Sequence, residues 1–259
     1  MGNTIVPPRL LLMAALTWLG WAGSSGSLAQ TDALMAGFPT KAGVVVLDAQ
    51  GIPQGLYPVP GTPTDVAVLP AQAHFAVTTL SGDFLIYSGD GTQVFKSSFE
   101  PLHDVDVLDM EPGLFLLTSR PGQRVFLYNR ETGSHENVPY SFQGPVDADW
   151  LPNGNFLVCD AQAGSVLEIT RDGQVIWSFE QGLTQPMDAL RLPNGNTLIS
   201  DFDNHRVLDV QPSGQIAREY RGFNHPVKLT ALPSGSILIA DGDHQRIQEL
   251  TPGGELKVF

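Results

Sequence analysis

The amino-acid sequence predicts an all-β fold built from one four-stranded unit repeated along the chain, on three observations. First, a phrase recurs: "DVAVLPAQAHFAVTT" from Asp65, "DVLDMEPGLFLLTS" from Asp106, "DADWLPNGNFLVCD" from Asp147, "DALRLPNGNTLISD" from Asp188 and "KLTALPSGSILIAD" from Lys228. The starts lie 41, 41, 41 and 40 residues apart. Second, glycines at positions 51, 91, 133, 173, 214 and 254 keep the same beat, and a period of this length marks a repeat architecture. Third, short runs rich in Val, Ile, Leu and Phe alternate with turn residues. After the first thirty residues no window carries the 3.6-residue apolar period of a helix. Composition agrees, since 16% charged residues with 27 Gly and 20 Pro suit many strands joined by tight turns.

Residues 1–29 stand apart from the repeats. Arg9 precedes the apolar run "LLLMAALTWLGWA" (10–22), and Ser27 and Ala29 supply the small residues of a cleavage site. This order predicts a signal peptide cut after Ala29 and export to a periplasm or the extracellular space. The run is short of the roughly 20 apolar residues that a spanning anchor needs. Val6 stands where a myristoylation signal calls for Ser or Thr. The formal net charge is −13, and removing Arg9 makes the remainder more acidic still. Such a surface repels nucleic acid and anionic lipid, so neither nucleic-acid binding nor membrane insertion of the mature chain is expected. The one cysteine, Cys159, lies in the apolar run "FLVCD" and reads as a small core residue, with no internal disulfide available to it.

Within a repeat, "DALRL" is followed by the turn "PNGN", where Asn-Gly supplies the positive φ that a tight hairpin requires. Then come "TLISD", a polar connection, "RVLDV", the glycine turn "QPSGQ" and "IAREY". Four strands in about 41 residues, repeated, is the arithmetic of a β-propeller blade. Complete blades are expected at 62–103, 104–144, 145–185, 186–226 and 227–259, in a single domain over 30–259. A partial unit at 31–61 offers "DALMAGF" for inner strands and "VVVLDAQGIPQGLYPV" for outer ones. The expectation is therefore six blades with a compressed first blade. Five blades with an N-terminal flap is the alternative.

The units resemble those of NHL-type six-bladed propellers. The stretch "LPNGNTLISD…NHRVLDVQPSGQI" is also similar to repeats of periplasmic PQQ-like and arylsulfotransferase-type propellers. The likeness covers the chain from about residue 43 to 259 and rests on turn and strand formers, so it implies a fold more than an activity. An arylsulfotransferase-type activity would make a channel histidine, His103 or His225, the nucleophile. A sulfuryl group needs cationic clamps, whereas this mouth is acidic. A gluconolactonase-like activity would place a divalent cation on Glu, Asn and Asp from different blades. Asp147 and Asp188 answer to that set, but no Glu or Asn obviously completes it.

In a four-stranded blade the second-to-third-strand loops and the blade-to-blade loops share one face, around the channel mouth. Asp65, Asp106, Asp147, Asp188 and Lys228 fall at the entry to successive inner strands and should converge there. Asp104, Asp109 and Asp149 add to the acidity. Crowded carboxylates bind a cation or raise one another's pKa, so Asp106, Asp147 and Asp188 are candidate ligands for calcium or another divalent cation. The plainer reading is turn chemistry, in which an Asp accepts backbone N–H bonds. His103 and His225 read as one register three residues before the inner strand. A second set, Asp160, Asp201 and Asp241 with Thr78 and Ser119, precedes Arg124, Arg206 and Arg246 by five residues and reads as scaffold. Phe and polar residues of the blade-to-blade loops "SSFEPLHD", "YSFQGPVD", "SFEQGLTQPMD" and "YRGFNHPVK" line the same mouth.

The function expected is an exported scaffold that recognises a protein, peptide or small ligand on that face, through Asp65, His103, Asp106, Asp147, Asp188, His225 and Lys228, without chemistry of its own and with no cofactor required. The alternative is a metal-dependent hydrolase or lactonase using the Asp ring.

Overall fold

The computed structural model describes residues 35–38, 41–47, 53–69, 74–107, 113–232 and 234–258. The proposed signal peptide, Asp109 and the turn prolines Pro70, Pro112 and Pro233 lie outside these residues. Apart from one 3-10 turn, Phe202–Asn204, the regular structure described is strand. An N-terminal sheet holds β1 (Met35–Phe38), β2 (Lys41–Leu47) and β3 (Pro53–Pro58). Five four-stranded sheets follow. The first contains β4 (Pro63–Leu69), β5 (His74–Thr79), β6 (Asp83–Ser88) and β7 (Gln93–Ser98). The second contains β8 (Asp104–Val107), β9 (Leu114–Ser119), β10 (Arg124–Asn129) and β11 (His135–Asn137). The third contains β12 (Pro145–Trp150), β13 (Phe156–Asp160), β14 (Ser165–Ile169) and β15 (Val175–Phe179). The fourth contains β16 (Pro186–Arg191), β17 (Thr197–Asp201), β18 (Arg206–Val210) and β19 (Ile216–Arg221). The fifth contains β20 (Pro226–Ala231), β21 (Ile237–Asp241), β22 (Arg246–Leu250) and β23 (Leu256–Val258).

Each sheet is an antiparallel meander in chain order, as its short hairpin turns dictate. The architecture is a five-bladed β-propeller. This corrects the expectation of six blades and matches the alternative. The N-terminal segment forms three strands, and "DALMAGF" contributes only β1, so no fourth strand completes a blade there among the described residues.

The core is a series of wedges between successive sheets. Phe84, Phe115 and Phe126 join the first blade to the second, with Phe84 and Phe115 edge to face at 4.8 Å. Leu116, Phe142 and Phe156 join the second to the third. Leu157, Cys159, Ala189 and Ile199 join the third to the fourth, and Leu198, Phe223 and Ile239 join the fourth to the fifth. Val44 and Val59 pack beside Val66 and Phe75 and attach the N-terminal sheet to the first blade. The second and third strands are buried on both sides, whereas the outermost strands expose Val94, Ile176 and Val258. Alternation therefore fails in the middle of a blade, where both faces meet another sheet. Cys159 is fully buried in its wedge, and burial pushes its thiol well above the ordinary range, so it is an inert core residue. No helix among the described residues is long and apolar enough to cross a membrane.

Candidate functional site at the channel mouth

The inner strands of blades one, three, four and five begin at Pro63, Pro145, Pro186 and Pro226, and the register shifts before the residue two places on. That residue is Asp65, Asp147, Asp188 and Lys228. In the second blade the equivalent residue is Asp104, not Asp106. Asp104 pairs with Thr118, fourteen residues on, where Asp147 pairs with Cys159, twelve residues on. The first hairpin of this blade is two residues longer, and matching the repeats at its turn displaces the alignment by two. The same effect moves the first-blade member of the second set from Thr78 to Thr79, which faces Pro63 as Asp160 faces Pro145.

Each ring carboxylate clasps the next blade. Asp65 accepts the Val105 N–H at 3.3 Å and Asp104 accepts the Ala148 N–H at 3.1 Å. Asp147 accepts from Ala189 at 3.3 Å and Asp188 from Leu229 at 2.8 Å. Asp106 makes the same kind of clasp one rung along, accepting the Trp150 N–H at 2.7 Å. The fifth blade breaks the series, since Lys228 points its ammonium back at the ring. Its Nζ lies 3.0 Å from Asp147, 3.5 Å from Asp104 and 3.5 Å from Asp188.

Burial governs the electrostatics. It raises the carboxyls of Asp65, Asp104, Asp147, Asp149 and Asp188, to about 6 for Asp147 and about 7 for Asp188, against the pull of Lys228. After burial, the charge of the neighbouring Asp65 pushes Asp104 further up, against the pull of Lys228. Burial works against the charged form of Lys228 too, but the surrounding aspartates outweigh it and hold its pKa well above the ordinary value. The ring fits an ammonium rather than a divalent ion. Lys228 fills the position that the carboxylates enclose, and each carboxylate already accepts a backbone N–H. Among the described residues, no group of three or more His, Cys, Asp or Glu has metal-holding geometry.

Asp160, Asp201 and Asp241 are scaffold, as their sequence setting suggested. Asp160 accepts N–H bonds from Gln143, Gly144 and Ala163. Asp201 binds Thr184 N, Asn204 Nδ2 and Arg206 Nε, and Asp241 binds Asn224 N, His244 Nδ1 and Arg246 Nε. Arg124 departs from this pattern and pairs with Glu100.

The two histidines are not equivalent. His103 directly precedes ring residue Asp104, while His225 stands three places before Lys228. His103 is half-buried, accepts the Arg120 N–H at Nδ1, and is held neutral by burial and by the Arg120 charge. His225 lies in a cluster that the sequence scattered over forty residues. Its Nδ1 is 2.7 Å from Asp243 Oδ2 and its Nε2 is 3.9 Å from Asp203 Oδ1. The Phe202 ring stacks on it with centroids 4.3 Å apart, and His205 lies 4.4 Å away. The His225 backbone N–H donates to His205 Nδ1 at 3.2 Å. Gln185 Nε2 donates to Asp203 Oδ2.

A backbone asymmetry marks this face. The non-glycine residues with positive φ among those described are Gln123, Gln185, His205, His225 and Gln245. All five lie in loops of the face that surrounds the mouth. The turns of the opposite face use glycine wherever φ is positive, as at Gly154, Gly173, Gly195 and Gly214. Periodicity could not reveal this, because a Gln or His in a loop carries no signal of its φ.

No family model matches the chain, and no curated protein matches it. Solved structures do match. A streptogramin B lyase is 14% identical with a TM-score of 0.69, covering 87% of this chain and 78% of that one. A catalytically inactive variant of virginiamycin B lyase from Staphylococcus aureus, with quinupristin, is 11% identical with a TM-score of 0.72, covering 90% and 82%. The WD40 β-propeller domain of Doa1 is 13% identical with a TM-score of 0.67, covering 82% and 72%. At such identities the likeness is one of fold.

Proposed function

We propose that this chain is an exported binding propeller that recognises its ligand on the loops around the channel mouth, chiefly those of blades four and five. The observation that carries the reading is the asymmetry of the two faces. A residue with a side chain at positive φ costs about 1 kcal/mol or more relative to glycine. One face accepts that cost at five Gln and His positions, while the turns of the other use glycine. Side chains are worth keeping there if they touch something. The ring beneath is internally satisfied and acts as the scaffold that sets the loops. Export rests on the leader-like residues 1–29 alone.

The test is a selection of displayed peptides against the purified chain. Selected binders should be lost on His205→Ala or His225→Ala and retained on Asn194→Ala, in a turn of the opposite face. Binders that ignore both histidines would overturn the assignment.

A second reading, acid–base chemistry, has one observation in its favour: the short His225–Asp243 contact, which orients a ring nitrogen away from its carboxylate partner. Two of the fold neighbours named above are lyases. Turnover of quinupristin by the wild-type chain, abolished by His225→Ala, would establish this reading in place of the first.

A further inference from the structure

We propose that the Phe202–His205–His225 cluster takes a cationic group, specifically the guanidinium of an arginine side chain in a peptide. This rests on the binding reading above and names the chemical class that the face would select.

Asp203 and Asp243 flank the two ends of the His225 imidazole, with side chains 33% and 60% exposed. Neither pairs with a Lys or Arg among the described residues. The nearby cations are committed elsewhere: Arg206 to Asp201 and the Gly182 carbonyl, Arg246 to Asp241 and the Gly222 carbonyl, and Lys228 to the ring. The cluster carries two carboxylates and no Lys or Arg among the described residues, on a chain whose net charge is −13. A cationic ligand is drawn to such a surface before it makes contact.

Shape and donor count narrow the class. Each carboxylate spends one oxygen inside the cluster, Asp243 Oδ2 on His225 and Asp203 Oδ2 on Gln185. Two acceptor oxygens remain, one on each side of a stack of flat rings in which His205 is exposed. A guanidinium is planar, stacks on rings and donates N–H groups in two directions, whereas an ammonium is a compact point charge. The arrangement therefore suits arginine better than lysine.

The experiment is calorimetric titration of the full chain with an uncharged-flank peptide carrying one Arg, and with the same peptide carrying citrulline, its neutral isostere. Both are measured at pH 8. The Arg peptide should bind about tenfold more tightly, a preference lost in Asp243→Asn. A parallel melt checks that this variant is folded. Should its melting temperature fall, Asp203→Asn replaces it. Equal binding of the two peptides overturns the proposal and leaves the binding reading standing. No binding of the Arg peptide overturns it as well, and the displayed-peptide selection then decides whether the face binds anything.

Discussion

Lys228 and Asp147 meet at 3.0 Å although 81 residues and two blades separate them in sequence. Four blades contribute an aspartate to the channel mouth, and the fifth contributes a cation that contacts three of them. Replacing Lys228 with Met should cost about 3 kcal/mol or more at pH 7.5, because it strands buried carboxylates without their partner. Thermal melting will show this. Methylammonium should recover part of the loss in Lys228→Gly, where the vacated space fits a small ammonium.

The ring also fixes a pH dependence. Asp147 titrates near 6 and Asp188 near 7 in the folded chain, against an ordinary value of 3.8. Between about pH 4 and 7 the folded form holds more protons than the unfolded one, so stability falls as the pH rises through that window. His103 acts in the opposite sense, since its depressed pKa makes acid unfavourable to the fold, but it is one group against several. Asp241 and Glu100, whose pKa values are lowered, lose their contribution only below the ordinary carboxylate range. The melting temperature at pH 5 should exceed that at pH 7.5 by ~3 °C, and Asp188→Asn should flatten the difference.

Substitutions at Asp188 separate its charge from its acceptor role. Asp188→Asn keeps an oxygen for the Leu229 N–H and removes a charge that burial disfavours, so stability should stay within ~1 kcal/mol of the parent or rise. Asp188→Ala leaves that N–H unpaired and should cost about 1–3 kcal/mol. Denaturant unfolding of the two variants measures the contrast.

Backbone strain at the mouth is testable at Gln245, with φ of 53°. Gln245→Gly should raise stability by roughly 0.5–1 kcal/mol by removing that strain. The reverse change on the opposite face, Gly154→Ala at φ of 85°, should lower it.

The repeat was legible because its turns are chemical: Asn-Gly and Ser-Gly pairs supply the φ that each hairpin needs, and they recur at a fixed period. The scaffold role of Asp201 and Arg206 was legible for the same reason. Blade count was not, because strands can form in the N-terminal segment without enough residues to complete a blade. Asp104 was missed because the first hairpin of its blade is two residues longer, so a nearby Asp106 stood in for it. The Phe202–His225 cluster was invisible because it joins loops of two blades, and nothing local in "DFDNH" or "FNHPVK" says that they meet.

Metal content, measured together with melting, decides whether the mouth is closed by Lys228 or by an ion. The claim is that the channel mouth is a scaffold closed by its own lysine, with recognition left to the loops above it. The chain, purified without chelator, is assayed for bound divalent metal and melted in calcium and in EDTA. The account predicts no stoichiometric metal and superimposable melts. One equivalent of divalent metal, with stability lost in EDTA and no further loss on Lys228→Met, would contradict it.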